Sequence, residues 1–176
     1  MSTEIVQMLQ HYRHDLMNRL QIVQGYLSMG KAEKAEEKLN EALHYYNEER
    51  KLMSLNVPEF MLWILKFNSN FNNFRLNYTI QAVNKNMHLS DSILLGNCID
   101  IMDSCTEELD SQVLYEIDLE IREVSNMPFM DVVFFIKGEV NPISKLENIK
   151  KRFVNTEIDI EKSLDGLVFS FSVPCQ

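Results

Sequence analysis

Apolar side chains recur at steps of three and four along the first third of the chain, and that spacing constrains the fold more than any other feature. Ile5, Leu9, Tyr12, Leu16, Leu20, Val23 and Leu27 form one stripe, as a helix of period 3.6 requires. One long helix is expected from about Ser2 to Met29, with Gly30 placed to end it in a left-handed conformation. A second stripe follows at Ala32, Ala35, Leu39, Leu43, Tyr46 and Met53. The short Met29–Lys31 connection makes the two segments an antiparallel hairpin. Two such helices, apolar along one stripe apiece, cannot bury both stripes well on each other alone. Two hairpins from two chains make a four-helix bundle, so a homodimer is expected.

Asn56-Val57-Pro58 marks a boundary, and the chain divides into a helical hairpin over 1–55 and a second domain over 56–176. Pro58 suits the first turn of a helix running to about Phe74. Leu76, Tyr78, Ile80 and Ala82 alternate with polar residues as a strand does. Ser90 or Asp91 can cap a helix through about Leu109. Strands are expected over Val113–Arg122 and Phe129–Lys137, then a short helix over Ser144–Phe153. A hairpin ends the chain, with Asp165-Gly166 as the turn between Glu157–Ile160 and Leu167–Val173. The order α-β-α-β-β-α-β-β gives an α+β chain in which a two-layer α/β sandwich follows the hairpin.

Composition excludes several function classes. The net charge is −9 over 176 residues, which disfavours nucleic-acid binding, since that needs a basic face. Five glycines leave little room for glycine-rich phosphate loops. Cys98, Cys105 and Cys175 are odd in number and form no C-x-x-C pair, as in a reduced cytosolic protein. The N-terminus has no apolar signal region and no 18-residue apolar run occurs, so a cytoplasmic protein that does not span a membrane is expected.

The chemistry concentrates on the first helix. His14 points roughly 160° away from the apolar stripe, at about 100° per residue. Gln7, Gln10, His11, Asn18 and Gln21 share that outer face. A solvent-exposed imidazole is thus expected half way along a rigid helix. A neutral imidazole nitrogen can attack phosphorus near physiological pH. Asp15 can orient the ring or take up its proton, although neighbours in sequence do not face each other squarely on a helix. Asn18, one turn on, can donate a hydrogen bond to a phosphoryl oxygen or a water. Arg13 and Arg19 bring positive charge for an anionic group or an acidic partner. Phosphoryl transfer depends mainly on positioning and electrostatics, which a rigid helix serves.

The string Arg13-His14-Asp15-x-Met17-Asn18-x-Leu20-Gln21 resembles the phosphoacceptor helix of the sporulation initiation phosphotransferase B family of spore-forming bacilli. More loosely, it resembles the R-H-D-x-x-N helix of citrate- and dicarboxylate-sensing histidine kinases. The resemblance implies a helical hairpin followed by a degenerate kinase-like ATPase domain, with His14 as the phosphorylated residue and Asp15 and Asn18 beside it. It implies a phosphoryl group that arrives from the aspartyl phosphate of one response regulator and leaves for the aspartate of a second, a transcription factor controlling sporulation. Gln10, His11, Arg13, Met17, Arg19 and Gln21 would then border the docked regulator. No intrinsic cofactor is implied, and Mg²⁺ comes with the response regulator.

A histidine kinase would also need an ATP site. Leu95-Gly96-Asn97-Cys98-Ile99-Asp100 resembles the start of a kinase N-box, but the second asparagine falls on Ile101. An aliphatic side chain cannot hold Mg²⁺, which demands oxygen ligands. The expected Asp-x-Gly-x-Gly loop is replaced by Lys137-Gly138-Glu139-Val140, and no glycine-rich lid follows. Both absences favour a relay protein over an autokinase. Other readings of the same residues are a degenerate kinase core that still binds ATP, a non-catalytic dimeric docking adaptor, and a metal site of His11, His14 and Asp15.

Overall fold

The structure is a computed structural model that describes residues 2–82, 88–138, 143–154 and 156–175. It divides into two compact units, Met1–Glu49 and Arg50–Gln176.

The first unit is built from α1 (Ser2–Ser28) and the greater part of α2 (Ala32–Ser54). Gly30 closes α1 at φ +69°, with Gly30 N–H donating to Leu27 O and Lys31 N–H to Tyr26 O. This pair of bonds is the Schellman arrangement, which needs a residue in the left-handed region at the first position past the helix. Ala35 and Ala42 are buried, and Tyr12, Leu16 and Val23 are half-buried. Leu9, Leu20 and Leu27 on α1 remain 59, 45 and 59 % exposed, and Leu39 and Leu43 on α2 remain 41 and 52 % exposed. Each helix therefore keeps an uncovered apolar strip within a single chain. The side chain of Ile5 lies outside the described residues.

α2 ends at Ser54, Asn56 follows at φ +55°, and Pro58 then opens α3 (Pro58–Asn70) at its first turn. The last turn of α2 belongs to the second unit, because Leu52 and Leu55 join its core. α3 stops four residues before Phe74, the end expected from sequence. Phe71 turns to extended backbone, which releases the chain for β1 (Phe74–Gln81) and lets Phe74 begin a strand with its side chain buried. Then come α4 (Asp91–Glu108), β2 (Tyr115–Glu123), β3 (Phe129–Lys137), α5 (Ile143–Arg152), β4 (Asp159–Lys162) and β5 (Gly166–Pro174). β4 lies two residues later than the sequence pattern indicates.

The five strands form one mixed sheet in the order β1-β2-β3-β5-β4. β1 and β2 are parallel, with α4 as the crossover that parallel neighbours require, and every other pair is antiparallel. Alternate residues point inward from the sheet, among them Ile117, Leu119 and Ile121 of β2, and Phe134 and Ile136 of β3. They share one core with Phe60, Ile64 and Phe67 of α3, with Leu94, Ile101 and Met102 of α4, and with Ile149 of α5. The chain is thus α+β, a helical pair followed by a sheet with helices.

α4 has no side-chain cap of its own. The Asp91 carboxylate instead accepts the backbone N–H groups of Glu59 (2.8 Å) and Phe60 (2.9 Å) at the start of α3. Cys98 and Cys105 are buried and unoxidised, Cys175 is half-buried and free, and burial pushes all three thiols up.

Candidate phosphoacceptor site

His14 lies in the middle of α1 with its side chain 70 % exposed. Its Nδ1 faces two neighbours on the same helix: Asn18 Nδ2 at 3.2 Å and Asp15 Oδ1 at 3.5 Å. Among the described residues, Nε2 makes no hydrogen bond. One ring nitrogen is therefore held at the helix surface, and the exposed side chain leaves the other open to a partner. Asp15 can accept from a protonated Nδ1. Asn18 serves the same tautomer with its amide oxygen turned to the ring, because amide oxygen and nitrogen exchange by a half rotation. With Nδ1 protonated, the lone pair resides on Nε2 and points outward.

The inner side of α1 is anchored around the same level. The Tyr12 hydroxyl donates to Glu49 Oε1 at 3.1 Å, and burial first, then the charge of Glu49, pushes the phenol up to about 12. The Glu49 carboxyl is itself raised by burial, partly offset by that hydrogen bond. Arg19 is half-buried, with its guanidinium 4.2 Å from the centre of the Tyr45 ring, a cation–π geometry. Tyr12, Tyr45 and Tyr46 form edge-on ring contacts at 6.2 and 5.3 Å. These contacts bracket His14 along the helix and fix which side of α1 faces α2. Sequence reasoning treated Tyr12 and Tyr46 only as stripe residues. The available signal was the hairpin itself, since reflecting α1 through the Gly30 turn brings residue 12 opposite 49.

Of the residues singled out from sequence, the structure brings His14, Asp15 and Asn18 together. Gln10, Arg13, Met17 and Gln21 are exposed on α1, while Arg19 is turned toward Tyr45. The side chain of His11 lies outside the described residues. In the second unit, Asn97 is half-buried, Asp100 is exposed and Ile101 is fully buried. Gly138 follows β3 at φ +138° against the Tyr115 ring, and Glu139 and Val140 lie outside the described residues. Among the described residues no group of three or more His, Cys, Asp or Glu side chains is arranged to hold a metal ion, and no helix is long and apolar enough to cross a membrane.

Residues 1–55 match the sensor kinase SpoOB-type, alpha-helical domain family. Sporulation initiation phosphotransferase B of Bacillus subtilis (strain 168) is 31% identical over 94 residues, which is 53% of this chain and 49% of that protein. The match thus spans about half the length of that curated relative. Among solved structures, histidine kinase ThkA in complex with response regulator protein TrrA aligns at a TM-score of 0.43 and 12% identity, over 97% of this chain and 61% of that one. Acinetobacter baumannii histidine kinase AdeS aligns at a TM-score of 0.38 and 9% identity, over 92% and 97%. The SpoOB-type domain and the phosphotransferase relative support a role in a phosphorelay or two-component pathway.

Proposed function

We propose that this chain is a phosphorelay phosphotransferase in which His14 accepts a phosphoryl group from the aspartyl phosphate of one response regulator and passes it to the aspartate of a second, in the control of sporulation. The observation that carries this reading is an exposed His14 whose Nδ1 is faced by Asp15 and Asn18, which leaves Nε2 as the nitrogen available for attack. Nε2 attacks phosphorus, and the P–N bond forms as the bond from phosphorus to the aspartyl oxygen breaks, releasing a carboxylate. The ring, still protonated at Nδ1, becomes cationic, and the Asp15 carboxylate offsets that charge. The second transfer is the reverse step on another carboxylate. Mg²⁺ belongs to the regulator, and the transfer takes place in the cytoplasm.

A second unit without a working nucleotide–Mg²⁺ site is part of this reading. Ile101 stands where an oxygen ligand is needed and is buried in the core, so loading from a regulator is favoured over autophosphorylation. Homodimerisation through the hairpins accounts for the exposed leucines on α1 and α2, which a four-helix bundle would cover.

The test mixes the full chain with phosphorylated receiver domains and looks for acid-labile, alkali-stable phosphate on His14. Labelled phosphate is expected on the wild type and not on His14→Gln. Labelling from ATP and Mg²⁺ alone, or full relay activity of His14→Gln, overturns the reading.

A further inference from the structure

Asp15 and Arg19 stand four residues apart on α1, acid first, the spacing at which opposite charges on one helix meet most readily. His14 lies on the other side of Asp15, about 100° round the helix, and sequence neighbours do not face each other squarely. Left to helix geometry alone, the Asp15 carboxylate would go to Arg19. In the structure its Oδ1 lies 3.5 Å from His14 Nδ1. The Arg19 guanidinium is instead drawn to α2, 4.2 Å from the centre of the Tyr45 ring.

Tyr45 makes a firm seat. It is half-buried and meets Tyr46 edge-on at 5.3 Å, and Tyr46 meets Tyr12 at 6.2 Å. A cation seated on such a ring is favoured roughly two- to fivefold. An exposed i,i+4 ion pair is worth about twofold at most, so the ring wins. The two attractions compete over a short range. Burial first, and then Glu49, raises the Tyr45 phenol; Arg19 lowers it and Asp15 raises it, so both charges reach one ring.

We propose that Tyr45 is a positioning residue for His14: by holding Arg19 against α2, it leaves the Asp15 carboxylate to the imidazole. Asp15 then keeps the proton on Nδ1 and the lone pair on Nε2. Tyr45 acts through Arg19 and Asp15 and touches no reacting atom. This rests on the reading of His14 given above.

The test reads the imidazole directly, in the full chain carrying ¹⁵N-labelled histidine, with the His14 signal assigned by its loss in His14→Gln. Tyr45→Leu removes the seat and frees Arg19 to pair with Asp15. The ratio of Nδ1–H to Nε2–H tautomer is expected to fall about twofold, and the maximal rate of loading from a phosphorylated receiver with it, at an unchanged half-saturating receiver concentration. Tyr45→Phe keeps the ring face and should hold the wild-type ratio. Arg19→Met added to Tyr45→Leu removes the competitor and should restore the ratio, a repair that a merely structural role for Tyr45 would not allow. Tyr45→Met runs beside Tyr45→Leu, with circular dichroism on both, so that a folding defect in one leaves the other. An unchanged ratio without the ring, or a fallen ratio that Arg19→Met leaves unrepaired, overturns the proposal. If no receiver loads the wild type, the phosphotransfer reading fails, while the tautomer ratios still decide the role of Tyr45. Normal wild-type loading with an unaffected ratio in Tyr45→Leu defeats the role of Tyr45 alone.

Discussion

Replacing Asp91 by alanine removes the one carboxylate that serves the start of a helix more than thirty residues earlier. Asp91 accepts from both Glu59 N–H and Phe60 N–H, and α3 has no side-chain cap of its own. Water can replace the partner of the exposed Glu59 amide. It has poorer access to Phe60, whose residue is fully buried. Losing a helix N-cap costs about 0.5–2 kcal/mol, and the charge-assisted character of these bonds and the helix dipole put this case near the upper end, about 2 kcal/mol. Asparagine keeps one neutral acceptor oxygen, so Asp91→Asn should lose about half as much. With a urea m-value of about 1.5–2 kcal/mol/M, Asp91→Ala should shift the midpoint by about 1 M. Trp63 is the sole tryptophan and stacks on Phe60 within α3 at 5.7 Å, so its fluorescence during urea unfolding of the full chain reads the affected helix directly. Equal midpoints for Asp91→Ala and wild type would refute the capping argument. Equal losses for Ala and Asn would refute the part assigned to charge.

Other perturbations test separate parts of the molecule. The Glu49 carboxyl is raised above the ordinary 4.5 by burial, so the fold favours its neutral form and its contribution to stability falls as pH rises through that raised value. Glu49→Gln should therefore raise the melting temperature relative to wild type more at pH 7.5 than at pH 4, and a difference independent of pH would count against it. A Cβ at Gly166 would collide with the Ile136 carbonyl oxygen, so Gly166→Ala should lower stability by about 1–3 kcal/mol in thermal unfolding. Leu20→Glu with Leu27→Glu should halve the mass measured by light scattering if the hairpins pair through those exposed leucines. Asn18→Ala removes one exposed hydrogen bond to His14 and should slow loading about fivefold, read as initial rates of phosphate transfer.

Much of this architecture was legible because its causes are local. Gly30 and Pro58 act through their own backbone preferences, and strict alternation in β2 and β3 marks which residues face the core. The exposure of His14 followed from helical phase alone. What escaped detection depends on residues far apart in sequence. The parallel pairing of β1 with β2 is set by the core, not by a turn. Asp91 reads as the start of its own helix, and only the packing of α3 beside α4 turns its carboxylate into the other helix's cap. Arg19 reads as a free cation until the hairpin closes and Tyr45 comes beneath it.

His14, Asp15 and Asn18 fall within five consecutive residues of one helix. Among the described residues, Asp15 and Asn18 are the groups that face the ring. If two chains pair through their hairpins as proposed, the two copies of the site should therefore be interchangeable. In dimers mixed from wild-type and His14→Gln chains, phosphate uptake should fall in direct proportion to the wild-type fraction, each protomer loading without regard to its neighbour.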